Sequence, residues 1–198
     1  MSGRSLRLGC LASGAGRTVR NLLEESRAGR MPAEVAVVIA TRAGVGAVEM
    51  ARAAGVPAEE ILPAVPGVPD PTIDDRVDEC LRRHRVDLVC LCGYLRRFRV
   101  GAWAGRVINI HPALLPRHGG AGMYGHHVHR AVLAAGDRES GCTVHFVDDE
   151  YDHGPPILAR RCPVLPGDTP ESLAARVFEE ECRALPEAIR MLAAYPRA

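Results

Sequence analysis

Val107-Ile-Asn-Ile-His-Pro-Ala-Leu-Leu-Pro116 is the stretch on which the fold turns. Side chains of a strand alternate with period two, so Val107 to His111 reads as the end of a buried strand on which Asn109 and His111 point the same way. Pro112 ends the strand because it brings no N–H to the ladder. Polar side chains at the carboxyl end of a strand are where open, mostly parallel α/β sheets bind ligands. An amide and an imidazole two residues apart can both face one reacting atom. Taken alone, the pair also fits an Asn capping a turn and a His held in a core.

Upstream of this strand the pattern alternates βαβαβαβ. Leu6 to Ala12 is a short apolar strand, followed by Ser13-Gly-Ala-Gly-Arg17 and a helix from Thr18 in which Val19, Leu22 and Leu23 have helical spacing. Strand, Gly-rich turn and helix leave unpaired N–H groups at the helix start, a cradle for an anion or simply a tight turn. The full G-x-G-x-x-G is absent, so no dinucleotide site is implied. Glu34–Thr41 is a second buried strand, Val45–Ala54 a helix ended by Gly55, and residues 57–62 a short third strand. A proline-rich irregular loop covers 64–71. Thr72 is placed to N-cap a helix to about His84, because Ile73, Val77, Cys80 and Leu81 share one face. Val86–Cys92 is the fourth strand, and Gly93–Phe98 leaves it as a turn or short helix. This alternation predicts an α/β fold: a Rossmann-like, mostly parallel twisted sheet with helices on both faces and right-handed crossovers.

Downstream, Arg117–Gly125 is a Gly-rich loop and His126–Ala135 a helix. Gly141–Val147 and Pro156–Val164 are strands close enough in sequence to pair antiparallel. Thr169 N-caps a final long helix with Pro170 in first position, interrupted or kinked near Pro186 and running toward Met191. No repeat or linker breaks the chain, so a single domain over 1–198 is expected, with a phosphate-binding half (1–100) and a catalytic half (101–198).

Composition narrows the function. The chain has 198 residues, 47% of them hydrophobic, and Lys plus Arg number 25 against 24 Asp plus Glu. Near-neutral charge with scattered arginines argues against nucleic acid or a membrane surface as the main partner. No apolar run approaches the roughly 20 residues of a membrane span, and Met1–Arg4 leads into a strand rather than a signal peptide, so a cytoplasmic protein is expected. The seven cysteines are odd in number and dispersed through apparent core segments, as expected of small buried hydrophobes in a reducing compartment. Cys90 and Cys92 share a strand face, but without a second ligand pair at zinc-finger spacing no metal is expected.

Besides Asn109 and His111, two clusters collect polar residues: Asp148-Asp-Glu-Tyr-Asp-His-Gly154, otherwise a solvated acidic turn, and His126-His-Val-His129, which has chelating spacing but no carboxylate near it in sequence. In combination, Asn109-Ile-His-Pro-Ala-Leu-Leu-Pro116 and Val144-His-Phe-Val-Asp-Asp-Glu-Tyr-Asp-His-Gly-Pro-Pro-Ile-Leu158 closely resemble the folate-dependent formyltransferases. The resemblance runs from Ser13–Gly16 through Val89–Arg96 to Gly167–Val177 and Glu181, nearly the whole chain. Within the family it is strongest to the members that formylate glycinamide ribonucleotide in purine synthesis.

That resemblance implies 10-formyltetrahydrofolate as co-substrate, no metal, and a catalytic set of Asn109, His111 and Asp152. The chemistry is coherent: an amine attacking a formyl carbon makes a tetrahedral oxyanion. The Asn109 amide and a protonated His111 can donate to it, worth about 3–4 kcal/mol per well-placed donor. Asp152 would favour and orient the imidazolium and relay a proton from amine to leaving nitrogen. The resemblance further implies that Gly16, Arg17 and Thr18 hold the ribonucleotide phosphate, with Glu181 and His127 near its amine or ribose and His129 near the site. It assigns the folate to the backbone of Leu95, Arg96, Arg97 and Phe98 and the segment from Asp148 to Asp152. The sequence departs from the family in Arg17 and Thr18, in Arg97 where an aliphatic is usual, in Asp70 near the place of an expected Arg, and in a longer Gly119–Gly125 loop, read as an extended lid. Water as acceptor would make a deformylase with the same triad, though deformylases carry an N-terminal regulatory domain. Transfer to other acceptors goes with extra C-terminal domains, and a folate- or nucleotide-binding module without turnover has no use for an oxyanion site. A monomer or homodimer acting on small molecules is expected.

Overall fold

The run from Leu8 to Ala12 is buried throughout, and it forms the body of the first strand, β1 (Leu6–Leu11). The computed structural model describes residues 5–65 and 67–194. The expected lead-in Met1–Arg4 and Pro66 of the expected irregular loop lie outside the described residues. The chain divides into two compact units, one running to Val107 and taking up the chain again from Ile189, the other spanning Ile108–Ala188.

In the first unit β1 pairs in parallel with β2 (Ala33–Ala40) and β4 (Leu88–Leu91), and β2 pairs with the short β3 (Ala58–Glu60), an order of β3-β2-β1-β4. Near-continuous Val, Ile and Ala in β2 is what a strand covered on both faces requires. Helices α1 (Arg17–Arg27), α2 (Gly46–Ala53) and α3 (Ile73–Arg83) bury the apolar faces read from their spacing: Val19, Leu22 and Leu23 on α1, and Ile73, Val77, Cys80 and Leu81 on α3. In the second unit β5 (Val107–His111), β6 (Glu139–Phe146) and β7 (Pro156–Pro163) pair antiparallel in that order, with α4 (His126–Ala134) and most of the 25-residue α5 (Pro170–Ala194). The fold class is thus the expected one: α/β, mostly parallel, with an antiparallel C-terminal strand pair.

Two local readings are corrected and two narrowed. β4 is shorter than expected because the Asp87 carboxylate accepts the Arg7 backbone N–H at 2.9 Å, while the Val86 N–H turns back to Leu81. Thr72 does not cap α3 with its side chain. Its N–H and hydroxyl both donate to Asp70 Oδ1, at 2.9 and 2.7 Å, closing a turn before the helix and leaving α3 with no side-chain cap. Residues 93–98 form no helix; a single 3₁₀ turn follows at Gly101–Trp103, its Trp103 indole donating to Asp78 at 2.6 Å. Helix α5 runs through Pro186 without interruption, with Ala184, Leu185, Ala188 and Ile189 buried on both sides of it. That burial outweighs the roughly 3 kcal/mol that a mid-helix proline costs. The Thr169 cap is present in reciprocal form: the Ser172 N–H donates to the Thr169 hydroxyl at 3.2 Å, and the Thr169 N–H to the Ser172 hydroxyl at 2.9 Å.

Candidate active site

Strand β5 delivers Asn109 and His111 as its alternation requires, with His111 only 3% exposed. Antiparallel pairing sets His145 of β6 opposite Asn109 and Thr143 opposite His111, so four polar side chains share one face of two neighbouring strands. Thr143 ties down the segment after the strand: its hydroxyl donates to the Ala113 carbonyl at 2.8 Å and accepts the Leu115 N–H at 3.1 Å.

Asp152 arrives from the β6–β7 connection, held in a left-handed conformation at φ 54°. Two residues later the chain passes so close to β6 that a Cβ on Gly154 would stand 1.9 Å from the Phe146 carbonyl oxygen, so only glycine fits there. This close approach, secured by the Phe146 N–H to Pro155 carbonyl bond at 3.0 Å, returns Asp152 over the strand face. Its Oδ1 accepts the Asn109 amide at 3.3 Å and lies 3.6 Å from His145 Nε2. Its Oδ2 accepts the Gly120 N–H at 3.1 Å and lies 3.3 Å from His111 Nδ1. Burial is the largest influence on this carboxyl and pushes it up. The hydrogen bonds from His111 and Gly120 and the His111 charge together overturn that and hold it well below the usual carboxylate range.

Proton placement follows from the partners. The His145 Nδ1–H donates to the Phe146 carbonyl at 2.9 Å, which leaves Nε2 as an acceptor for the Asn109 amide N–H at 3.1 Å. The second N–H of Asn109 serves Asp152. His111 places Nε2 2.7 Å from the carbonyl of His118 and Nδ1 against Asp152, two oxygen acceptors that only the doubly protonated ring can satisfy with two donors. His118, itself at φ 55°, is anchored through its ring to Asp137 at 2.7 Å, and Arg117 bonds the other Asp137 oxygen at 2.6 Å. In this state the donors of Asn109 and His111 are therefore turned onto protein acceptors.

The remaining expected residues are placed as follows. Gly16 caps α1 at φ 83°, and a Cβ there would stand 2.6 Å from Ala47 Cα, so both conformation and space require glycine. No side chain caps α1, Arg17 is exposed and Thr18 half-buried. The Leu95 N–H is taken by the Ser13 hydroxyl at 3.1 Å, Arg96 pairs with Asp74 at 3.0 Å, Arg97 is exposed, and the Phe98 side chain belongs to the core at 8% exposure. Asp148 organises its own turn, accepting the Glu150 N–H and the His153 ring, both at 2.9 Å. His127 is exposed and packs edge-to-face on Tyr124 within the expected lid, His129 is buried, and Glu181 is half-buried on α5. Asn109, His111 and Asp152 are thus brought together. Thr143, His145 and His118, which the sequence reading passed over, belong with them; the readable signal was the polar pair Thr143 and His145 alternating through an apolar strand.

Comparison with known proteins gives the same direction. The sequence model of the family described as formyl transferase matches residues 6–189. The chain is similar to a chloroplastic phosphoribosylglycinamide formyltransferase of Vigna unguiculata, 38% identical over 96% of this chain and 61% of the relative. It is also similar to the trifunctional purine biosynthetic protein adenosine-3 of Drosophila melanogaster, 37% identical over 97% of this chain and 14% of that protein. The chain therefore spans less than two thirds of these relatives' own lengths. The crystal structure of glycinamide ribonucleotide transformylase 1 from Symbiobacterium toebii superposes with a TM-score of 0.89 at 44% identity, covering 97% of this chain and 89% of that one.

Proposed function

We propose, for a chain that belongs to the formyl transferase family, that it transfers the formyl group of 10-formyltetrahydrofolate to the amine of glycinamide ribonucleotide in purine biosynthesis. The observation that carries this reading is the contact set of Asn109, His111 and Asp152, in which Asn109 and His111 each reach within 3.3 Å of one carboxylate kept ionised by its donors. The names of the Vigna and Symbiobacterium relatives support the acceptor.

In the proposed reaction the substrate amine attacks the formyl carbon, its nitrogen–carbon bond forms, and the carbonyl electrons move onto oxygen. That oxyanion is a stronger acceptor than the neutral His145 Nε2 or the His118 carbonyl, so it draws an Asn109 N–H and the His111 Nε2–H away from them. Asp152, with Oδ2 3.3 Å from His111 Nδ1, keeps that ring oriented. As the intermediate collapses, the bond from carbon to the folate nitrogen breaks and the proton lost by the amine reaches that nitrogen through Asp152 and water. Gly16, Arg17 and Thr18 at the start of α1 take the phosphate, whose charge suits the uncapped helix N-terminus. His127 and Glu181 serve the ribonucleotide, while Leu95–Phe98 and Asp148 serve the folate by backbone. Cysteines dispersed through buried segments support a reducing, cytoplasmic setting, and among the described residues no helix is long and apolar enough to cross a membrane.

The deciding experiment mixes purified protein with both substrates and follows product by mass. Formylated ribonucleotide should form much faster than the folate is hydrolysed without acceptor. Hydrolysis at an equal rate with and without glycinamide ribonucleotide would make the protein a deformylase instead.

A further inference from the structure

A second group of chemistry-bearing side chains lies within the first unit, apart from the residues just assigned. Strand β3 contributes Glu59, and the last turn of α3 contributes Cys80 with His84 just beyond it, four residues apart and so on one helix face. One ligand atom from each lies within 4.8 Å of the other two, and among the described residues no other group of three His, Cys, Asp or Glu side chains converges in this way. We infer that Glu59, Cys80 and His84 form a binding site for a thiophilic divalent transition metal, zinc above all, with water in the fourth position.

The donor set selects the metal. One thiolate, one imidazole and one carboxylate is a combination zinc and cobalt accept readily and magnesium or calcium do not. In the metal-free protein the same atoms are held together by protons: His84 Nε2 stands 2.9 Å from Glu59 Oε1, and the Cys80 thiol is buried beside the same carboxylate. The thiol gives up its proton when it binds the metal. Arg83 competes for the carboxylate, bonding both Glu59 oxygens at 2.6 Å. Its side chain is 55% exposed, free to swing into solvent when the carboxylate turns to a metal. Arg83 thus acts as a latch that keeps affinity moderate, and metal binding would clip β3 to the end of α3.

Untagged full-length protein stripped with chelator and titrated with cobalt(II) tests the site without reference to activity. One equivalent should give a thiolate-to-cobalt charge-transfer band with the strong visible bands of four-coordinate cobalt, bleached by zinc. Cys80→Ser should abolish the charge-transfer band. His84→Ala and Glu59→Gln, changed at half-buried positions, should weaken binding by more than the roughly 10–100-fold that losing an outer partner of a metal costs; these two carry the test if Cys80→Ser fails to fold. Arg83→Gln should tighten it. No thiolate–cobalt band in the parent protein, or an undiminished one in Cys80→Ser or in both His84→Ala and Glu59→Gln, would overturn the assignment.

Discussion

Replacing Asp152 with Asn exchanges one acceptor oxygen for an NH₂ group and removes one charge at nearly constant volume. Oδ1 serves Asn109, and Oδ2 serves Gly120 and faces His111. Whichever way the new amide sits, its NH₂ meets a donor, either the Asn109 amide or the Gly120 N–H. At least one charge-assisted bond is lost, about 1.5–3 kcal/mol, and an orphaned buried donor adds about 1–3 kcal/mol. The sum, about 2.5–6 kcal/mol, brackets the roughly 3–5 kcal/mol for removing one partner from a buried pair and corresponds to a melting point lower by about 10 °C for a chain of this size. The pH dependence has a definite sign. The folded-state carboxyl lies below its ordinary value of about 3.9, so the stability contributed by ionised Asp152 is present in full above that value. It is lost as pH falls from there toward the depressed folded value. The variant lacks this titration, so calorimetry on both proteins should show a constant gap in melting temperature from about pH 5 to 8 that narrows below about pH 4. Initial rates of formyl transfer should show kcat lower by about 100-fold, or 2.7 kcal/mol, with both KM values little changed. A gap that does not narrow on acidification, or a kcat within threefold of the parent, would refute the placement of the charge.

Three further perturbations separate the parts. His145→Ala removes the acceptor that orients Asn109 and should lower kcat by about 10–100-fold with small changes in KM, whereas His145→Gln, which restores an acceptor, should recover part of the loss; equal kinetics for parent and Ala variant would remove His145 from the site. Gly154→Ala forces a Cβ against the Phe146 carbonyl and should cost stability of about 3 kcal/mol or more by thermal melting, together with activity, since Asp152 depends on the same turn; a stable and active variant would mean the turn relaxes without moving Asp152. Arg17→Ala should raise KM for the ribonucleotide and leave KM for the folate unchanged, and the reverse pattern would move the phosphate elsewhere.

The alternation of apolar residues was enough to read the strands, and in β5 it was enough to put Asn109 and His111 on one side, because side-chain direction along a strand is a local property. Caps were less legible, since a nearby carboxylate can engage the capping side chain itself: Asp70 takes the Thr72 hydroxyl before α3, while Thr169 keeps its role at α5 through the reciprocal bond with Ser172. Pro186 misled for the converse reason, a local penalty overridden by burial on both sides of it. His145 was hidden by a different kind of fact. Whether it faces Asn109 or the opposite side of the sheet depends on register, and a slip of one residue would send it to the other face. That register belongs to the pairing of β6 with β5, and β6 carries a shift between Val144 and His145 in its pairing with β7. Beyond it, Gly154 approaches the Phe146 carbonyl. The shift and the close approach lie within ten residues of each other, on the strand that carries His145 and the turn that carries Asp152. Local geometry at residues 144–154 therefore sets both neighbours of Asn109 at once, and a sequence change there that spares every polar side chain can still separate the amide from its acceptors.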